Sequence, residues 1–360
     1  MKILMYTGSL SRGGAERVMC TLAGHLSSKG HAVVLATIYE AEDEYRLPPG
    51  VKRVFTEPGP SLLTGNRVRN LKVRMDFLKK VISDESPDVV LSFMGKNNLM
   101  ALNACSSLRI PCVVSVRALP ELEYYTFPMR ISARFLFPKA LAVVFQTEYA
   151  SRFFGKKVRD RSFIIKNPIA PEFLGEIRKA PSAHPHILTA GRLDENKETS
   201  LIIKAFAAIS GDFPDAVLTV CGDGPLRGEL EKQSEDLGMK DRISFAGSVS
   251  DMAGYYNEAD IFVMMSDTEG MPNALIEAMS MGCACISTDC PAGAPAEFID
   301  DGKTGCLIPI RDEKALQEKL RILASDRDKA FEMGQEASKS IRALLDRDKI
   351  LRQWEEVLLS

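Results

Sequence analysis

Apolar positions along this chain follow two alternating rhythms. Short β-branched and aliphatic runs at residues 3–7, 32–38, 89–93, 113–116 and 142–146 predict strands. Between them lie stretches with helical spacing. Residues 15–29 carry Val18, Leu22, Ala23 and Leu26, and residues 68–83 carry Leu71, Met75, Leu78 and Ile82 as a core face. The second half repeats the logic. Strands are predicted at 187–190, 217–221, 243–246, 261–265, 284–287 and 305–308, and helices at 199–209, 226–237, 273–281 and 313–323. Strands alternating with helices mean βαβ units and parallel sheets. The pattern predicts an α/β chain of two Rossmann-like domains in tandem, their sheets facing a central cleft. The join falls at Asn167-Pro168, where an X-Pro step interrupts regular structure. The expected division is 1–167, 168–341 and a final helix over 342–360. Ligands of such sheets bind at the loops after the strands, so chemistry is sought there.

The composition fits this picture. A chain of 360 residues, 45% hydrophobic and 26% charged, has the length of about two domains and the apolar content to bury both cores. Its longest purely apolar runs, such as 140–145, fall far short of the roughly 20 residues of a membrane-spanning helix. The amino terminus enters a strand at once, without the apolar core of a signal peptide. Eight cysteines in mostly apolar contexts read as reduced core residues, and the expected location is cytoplasmic. The spacing of Cys283, Cys285 and Cys290 has no histidine near it, which argues against zinc.

The net charge of −2 conceals a division. Residues 1–170 hold 25 Lys+Arg against 14 Asp+Glu, a balance of +11, while residues 171–360 hold 21 against 34, a balance of −13. The near-neutral total argues against a nucleic-acid binder, and the basic half points to an anionic ligand or surface.

Four loops carry candidate chemistry. After the first strand, Gly13-Gly14 opens a helix, following Gly8 and Arg12, and lets backbone approach a phosphate. After the first strand of the second half, Gly191-Arg192-Leu193-Asp194-Glu195-Asn196-Lys197 places two cations in one loop, suited to a diphosphate. Gly222-Asp223-Gly224-Pro225 makes a further tight turn. The segment from Thr268 to Met279 places Glu269 before a helix and Glu277 within it, with Pro272 as the expected first helical residue. The amides of Asn273, Ala274 and Leu275 would then be orphan donors. No Lys or Arg occurs between Asp251 and Asp300, so these carboxylates suit sugar hydroxyls better than phosphate.

Taken in order, these segments, with 245–249, 297–305 and Asn167-Pro168-Ile169, resemble glycosyltransferase family 4, retaining GT-B enzymes that use nucleotide sugars. Glu269 and Glu277 match that family's paired-glutamate element. The resemblance covers nearly the whole chain and is weakest over 40–85 and 118–138. It implies that Arg192 and Lys197 neutralise a leaving diphosphate and that Glu269 binds the donor sugar. It assigns Glu277 to the ribose hydroxyls and backbone at Ser248-Val249 to the base. Gly191, Gly222, Gly270, Met271, Asn273, Ala274 and Leu275 would line the donor, with Gly13 and Gly14 closing the phosphate side. The last helix would pack back on the first domain.

One position departs from the family pattern. Many members carry a histidine after the fourth strand of the first domain, where Arg117 stands here. Arginine cannot act as a base, so Arg117 is expected to contact an acceptor phosphate or the donor sugar. No Asp-x-Asp pair is present, which leads to an expectation of metal-independent transfer with no cofactor. The favoured substrates are a UDP-sugar carrying a hexosyl or N-acetylhexosaminyl group, and a glycan or polyprenyl-diphosphate-linked saccharide. Two basic segments, residues 67–80 and the aromatic-rich 127–139, could meet an anionic membrane surface. The alternatives are a nucleotide-sugar epimerase on the same fold and a non-catalytic nucleotide-sugar-binding subunit. A dehydrogenase lacks its Gly-x-Gly-x-x-Gly fingerprint.

Overall fold

The computed structural model describes residues 1–11, 13–290 and 294–359; Arg12 of the first glycine loop lies outside them. The chain forms two compact units, Met1–Pro168 together with Arg347–Ser360, and Ile169–Asp346.

The first unit is built on seven parallel strands: β1 (Lys2–Thr7), β2 (Ala32–Thr37), β3 (Lys52–Phe55), β4 (Val89–Phe93), β5 (Cys112–Ser115), β6 (Ala142–Phe145) and β7 (Ser162–Ile164), in the order 3-2-1-4-5-6-7. In register, Ile3 lies beside Val33 on one side and Val89 on the other. The central strands are buried on both faces, as parallel strands covered by helices must be. The second unit has six parallel strands, β8 (His186–Ala190), β9 (Val217–Cys221), β10 (Ile243–Gly247), β11 (Ile261–Met264), β12 (Ala284–Thr288) and β13 (Cys306–Ile308), in the order 10-9-8-11-12-13. In both sheets the order reverses beside the first strand of the unit. The crevices therefore lie at the carboxyl ends of β1 and β4 in one unit, and of β8 and β11 in the other. Each unit has its own core, with Leu4, Val90, Val114 and Phe145 in the first and Ile187, Phe206, Val220 and Val263 in the second.

The structure corrects several expectations. Strands β3 and β7 are short, half-exposed edge strands, carrying only Val54-Phe55 and Phe163-Ile164-Ile165 as apolar runs. The helix Gly95–Leu108 is polar at its start and buries Asn98, which donates to the Ser115 carbonyl at 2.8 Å. The helix Arg327–Leu344 was not anticipated; it buries Ala330, Met333, Gly334, Ala337, Ser338 and Ile341 at helical spacing, a stripe made mostly of small residues. Because it runs on to Leu344, the last boundary falls at Asp346/Arg347 rather than at 341/342. The final helix Arg347–Leu359 buries Ile350, Leu351, Trp354, Val357 and Leu358, and Trp354 packs its ring 5.6 Å from that of Phe93. On the helix Arg67–Glu85, Leu78 and Ile82 are core as expected, but Leu71 is exposed. All eight cysteines are buried and unbridged. Among the described residues no helix is long and apolar enough to cross a membrane.

Candidate functional site

In the second unit the strand ends bring three glycine loops together. The Gly191 amide donates to Cys221 at 3.0 Å, Gly222 to Gly247 at 2.7 Å and Leu193 to Asp223 at 3.0 Å. This closeness requires glycine at 222. Its φ is +131°, and an added Cβ would lie 1.8 Å from the Gly191 carbonyl oxygen. The loop after β10, with exposed Ser248 and half-buried Val249, thereby starts beside Gly222.

The crevice between β8 and β11 is closed by a second set of bonds. Asn196 donates to the Thr268 carbonyl at 3.1 Å and accepts from the Thr268 amide at 3.1 Å and hydroxyl at 2.8 Å. The Asp267 amide adds a bond to the Asn196 carbonyl at 2.9 Å. Arg311 reinforces the junction, pairing with Asp267 at 2.5 Å and Glu198 at 2.9 Å. The next residues along each loop are Lys197 and Glu269, and their side chains meet at 2.5 Å with 24% and 12% exposure. Local sequence offered Glu269 no cation; the fold supplies one from 72 positions away. Asn196, Thr268 and Arg311 escaped the sequence reading because short polar loop residues carry no periodic signal. The one available hint was Asn196 sitting between two charges already suspected.

Beyond Glu269 the chain turns into the helix Asn273–Ser280. Pro272 is its cap rather than its first residue, which corrects the expected start. The Asn273 amide is consequently bonded to the Met271 carbonyl at 2.9 Å. Among the described residues the Ala274 and Leu275 amides have no acceptor, so the open donors begin one residue later than expected. Gly270 is half-buried beside buried Met271. Glu277 lies on the half-buried face of this helix and accepts from the Tyr256 hydroxyl at 3.3 Å. Burial, with the Glu277 charge beside it, pushes the Tyr256 phenol well above its ordinary pKa, so it remains a donor. Arg192 stands apart. It is 73% exposed, 3.5 Å from Asp194, and is not in the Lys197–Glu269 pair.

In the first unit the helix Gly14–Ser28 begins just after Gly13. A Cβ at Gly13 would lie 2.3 Å from a Glu16 carboxylate oxygen, so Gly13 makes room for a carboxylate folded over the helix start. Burial raises the Glu16 pKa, opposed by its own amide and by Arg117. Arg117 is buried. Its guanidinium lies 4.7 Å over the Phe93 ring and donates to Asn167 of the linker, while its Nε has no acceptor. Burial lowers its pKa to about 10, against the pull of Glu123 and Glu16. Glu123 was not anticipated. It accepts from the amides of Gly95 at 2.8 Å, Arg117 at 2.8 Å and Ala118 at 2.7 Å, fixing the loops after β4 and β5. A cavity of about 330 Å³ lies against Arg117, Lys96, Asn97 and Glu123.

Comparison with known proteins agrees with this geometry. Residues 12–173 match the family described as Glycosyltransferase Family 4, and residues 184–326 match Glycosyl transferases group 1. The chain is 30% identical over 334 residues to a Campylobacter jejuni GalNAc-alpha-(1->4)-GalNAc-alpha-(1->3)-diNAcBac-PP-undecaprenol alpha-1,4-N-acetyl-D-galactosaminyltransferase, covering 91% of this chain and 89% of that one. It is 27% identical to the lipopolysaccharide core biosynthesis glycosyltransferase LpsE of Rhizobium meliloti, over 97% and 96% of the two chains. Its fold is similar to that of Anabaena HepE in complex with UDP and glucose, with a TM-score of 0.82, 18% identity and 99% of both chains covered. These likenesses establish the GT-B class of α/β fold expected from the sequence.

Proposed function

Since the chain belongs to glycosyltransferase family 4, we propose that it moves a hexosyl or N-acetylhexosaminyl group, with retention, from a UDP-sugar to a polyprenyl-diphosphate-linked saccharide. The observation that carries this reading is the Lys197–Glu269 pair, held at the carboxyl ends of β8 and β11 by Asn196. It places a cation for the diphosphate next to a carboxylate for sugar hydroxyls. The Campylobacter relative, named for an undecaprenyl-diphosphate-linked substrate, supports the acceptor class, and HepE, solved with UDP, supports the nucleotide.

In this reading Lys197 and Arg192 meet the diphosphate together with the Ala274 and Leu275 amides. Glu269 orients the sugar, Glu277 takes the ribose hydroxyls, and backbone at Ser248-Val249 faces the base. Gly191, Gly222, Gly270, Met271 and Asn273 shape the donor pocket, and in the first unit Gly13 and Gly14 let backbone approach a phosphate. Arg117 contacts the acceptor phosphate or the donor sugar. The anomeric carbon–oxygen bond to the diphosphate breaks while the acceptor oxygen bonds to the same face. The acceptor's proton passes to the departing phosphate oxygen, so no side-chain base is needed at position 117. Fixed cations and amides supply the charge stabilisation that a metal would otherwise give. Transfer takes place at the cytoplasmic face of the cell membrane.

The test is a thermal-shift screen of UDP-, GDP- and ADP-sugars, followed by product analysis with and without chelator. A true donor at 100 times its Kd should add about 2.7 kcal/mol. A β-linked product from an α-linked donor rejects retention, and loss of activity in chelator that magnesium restores rejects metal independence.

A further inference from the structure

The helix Phe127–Leu136 wears its amphipathicity in an unusual direction. Its inward side is covered by Met129, Ala133 and Leu136 against the first unit's core. Its outward side is also apolar: Phe127 is 75% exposed, Ile131 42% and Phe135 67%, one above another at helical spacing. Exposed aromatics repeated on one ridge are costly unless something covers them.

Cations surround this ridge. From Phe127 to Arg161 the chain carries eight Lys+Arg and two Asp+Glu. Arg130, Arg134, Lys156 and Lys157 rim a groove of about 750 Å³ beside the ridge, with Ile131 and Phe153 on its walls. Among the described residues Arg134, Lys156 and Lys157 pair with no carboxylate. The other basic helix, Arg67–Glu85, ties Arg74 to Glu57 at 2.6 Å and Lys80 to Asp84 at 2.5 Å, and its exposed apolar side chains, Val68 and Leu71, are aliphatic, so it lacks the aromatic ridge. Unspent cations flanking exposed aromatics suit an interface that is anionic outside and apolar within, as a bilayer surface is. A second copy of the same face would bring like charges together.

We propose that this face docks on an anionic phospholipid bilayer. Phe127, Ile131 and Phe135 enter the interface, and Arg130, Arg134, Lys156 and Lys157 meet lipid phosphates. The proposal deepens the reading of the acceptor as lipid-linked, since it would bring the first unit to the surface where such an acceptor resides.

The experiment is flotation of the full chain with vesicles of phosphatidylcholine alone or mixed with phosphatidylglycerol, at low and rising salt. Binding is expected to the mixed vesicles only and to weaken with salt. R134E/K156E/K157E should bind on the order of a hundredfold more weakly. F127S/F135S should lose the part of binding that survives salt, and K72E/K79E on the other basic helix should bind as wild type. Melting temperatures check that each variant is folded. Absence of flotation at low salt overturns the proposal, as does equal flotation of the R134E/K156E/K157E variant. So does a dimer in sedimentation that F127S/F135S abolishes, which would make a second copy the occupant. Transfer to a short-chain, water-soluble diphosphate-linked acceptor separates the two readings. Unaltered turnover without flotation sinks the docking alone, whereas flotation without turnover on any polyprenyl acceptor sinks the acceptor assignment alone.

Discussion

Replacing Asn196 by alanine tests whether one neutral side chain sets the register of the charged pair. The substitution removes three hydrogen bonds to Thr268, at 3.1, 3.1 and 2.8 Å, and spares the backbone bond from Asp267. Each such bond is worth about 0.5–1.5 kcal/mol net. Asn196 is half-exposed and water can replace part of them, which leaves a loss of about 1–2 kcal/mol. A melting temperature lower by about 2–8 °C follows for a unit of this size. From a starting stability of about 5–15 kcal/mol, that loss leaves nearly every molecule folded at assay temperature. Activity should suffer far more. A displacement of about 1 Å between Lys197 and Glu269 is enough to cost on the order of a hundredfold in kcat/KM. The assay is transfer from a UDP-sugar, run beside a thermal melt. Asn196→Asp keeps the acceptor for both Thr268 donors and loses only the donated bond, so it should fall between wild type and alanine. A kcat/KM within threefold of wild type for Asn196→Ala, at a lowered melting temperature, would refute the argument and make Asn196 merely structural.

Glu269→Gln should abolish turnover while leaving the fold intact, and UDP alone should bind it several-fold more tightly, because Lys197 loses its internal competitor; equal or weaker UDP binding in calorimetry would count against the pair. Gly222→Ala must displace the Gly191 loop, and the second unit should lose several kcal/mol, on the order of the tail seen for core disruption, in denaturant titration. Asp260→Asn attacks a buried carboxylate that accepts from Arg178 at 2.5 Å and the His186 amide at 2.9 Å, and should cost about 2–3 kcal/mol at neutral pH. Burial opposes the Asp260 charge, but Ser182, the His186 amide and Arg178 together hold its pKa below the ordinary value. Its contribution is therefore complete above the unfolded carboxylate pKa, near about 3.9, and disappears as pH falls through the folded one, so the variant's deficit should close in acid melts.

Much of the fold was legible because both sheets are buried on two faces. Burial of that kind forces apolar runs such as those of β1, β4 and β11, and glycines mark the ends of β1, β8 and β9. What escaped was structure held by shape rather than hydrophobicity. The helix Arg327–Leu344 packs so closely that a Cβ at Gly334 would lie 2.1 Å from the Gly282 carbonyl, and its buried stripe is built mostly of alanine, glycine and serine, with only Met333 and Ile341 as large apolar members. The edge strands β3 and β7 are set by pairing with β2 and β6, a long-range condition absent from their own residues. At the site, the residue types were readable and their partnerships were not. Lys197 was expected to meet a phosphate, and Arg117 an acceptor phosphate or the donor sugar. In the structure Lys197 is bound to Glu269, and Arg117 lies between Phe93 and Asn167.

Those partnerships bear on how a unit with a balance of −13 would hold the diphosphate proposed for it. Charges farther than about 8 Å through solvent are largely screened at physiological salt, so the surplus carboxylates weigh little against groups in contact. On the proposed function the contact groups would be Lys197, the amides of Ala274 and Leu275, and Arg192. Lys197 is neutralised by Glu269, so it does not leave the crevice an unpaired, mostly buried cation. A free diphosphate must then compete with Glu269 for that cation, whereas a diphosphate carrying a sugar offers Glu269 hydroxyl donors in exchange. On the proposed function the internal pair would therefore favour the complete nucleotide sugar over the free nucleotide, because both compete for the same 2.5 Å contact.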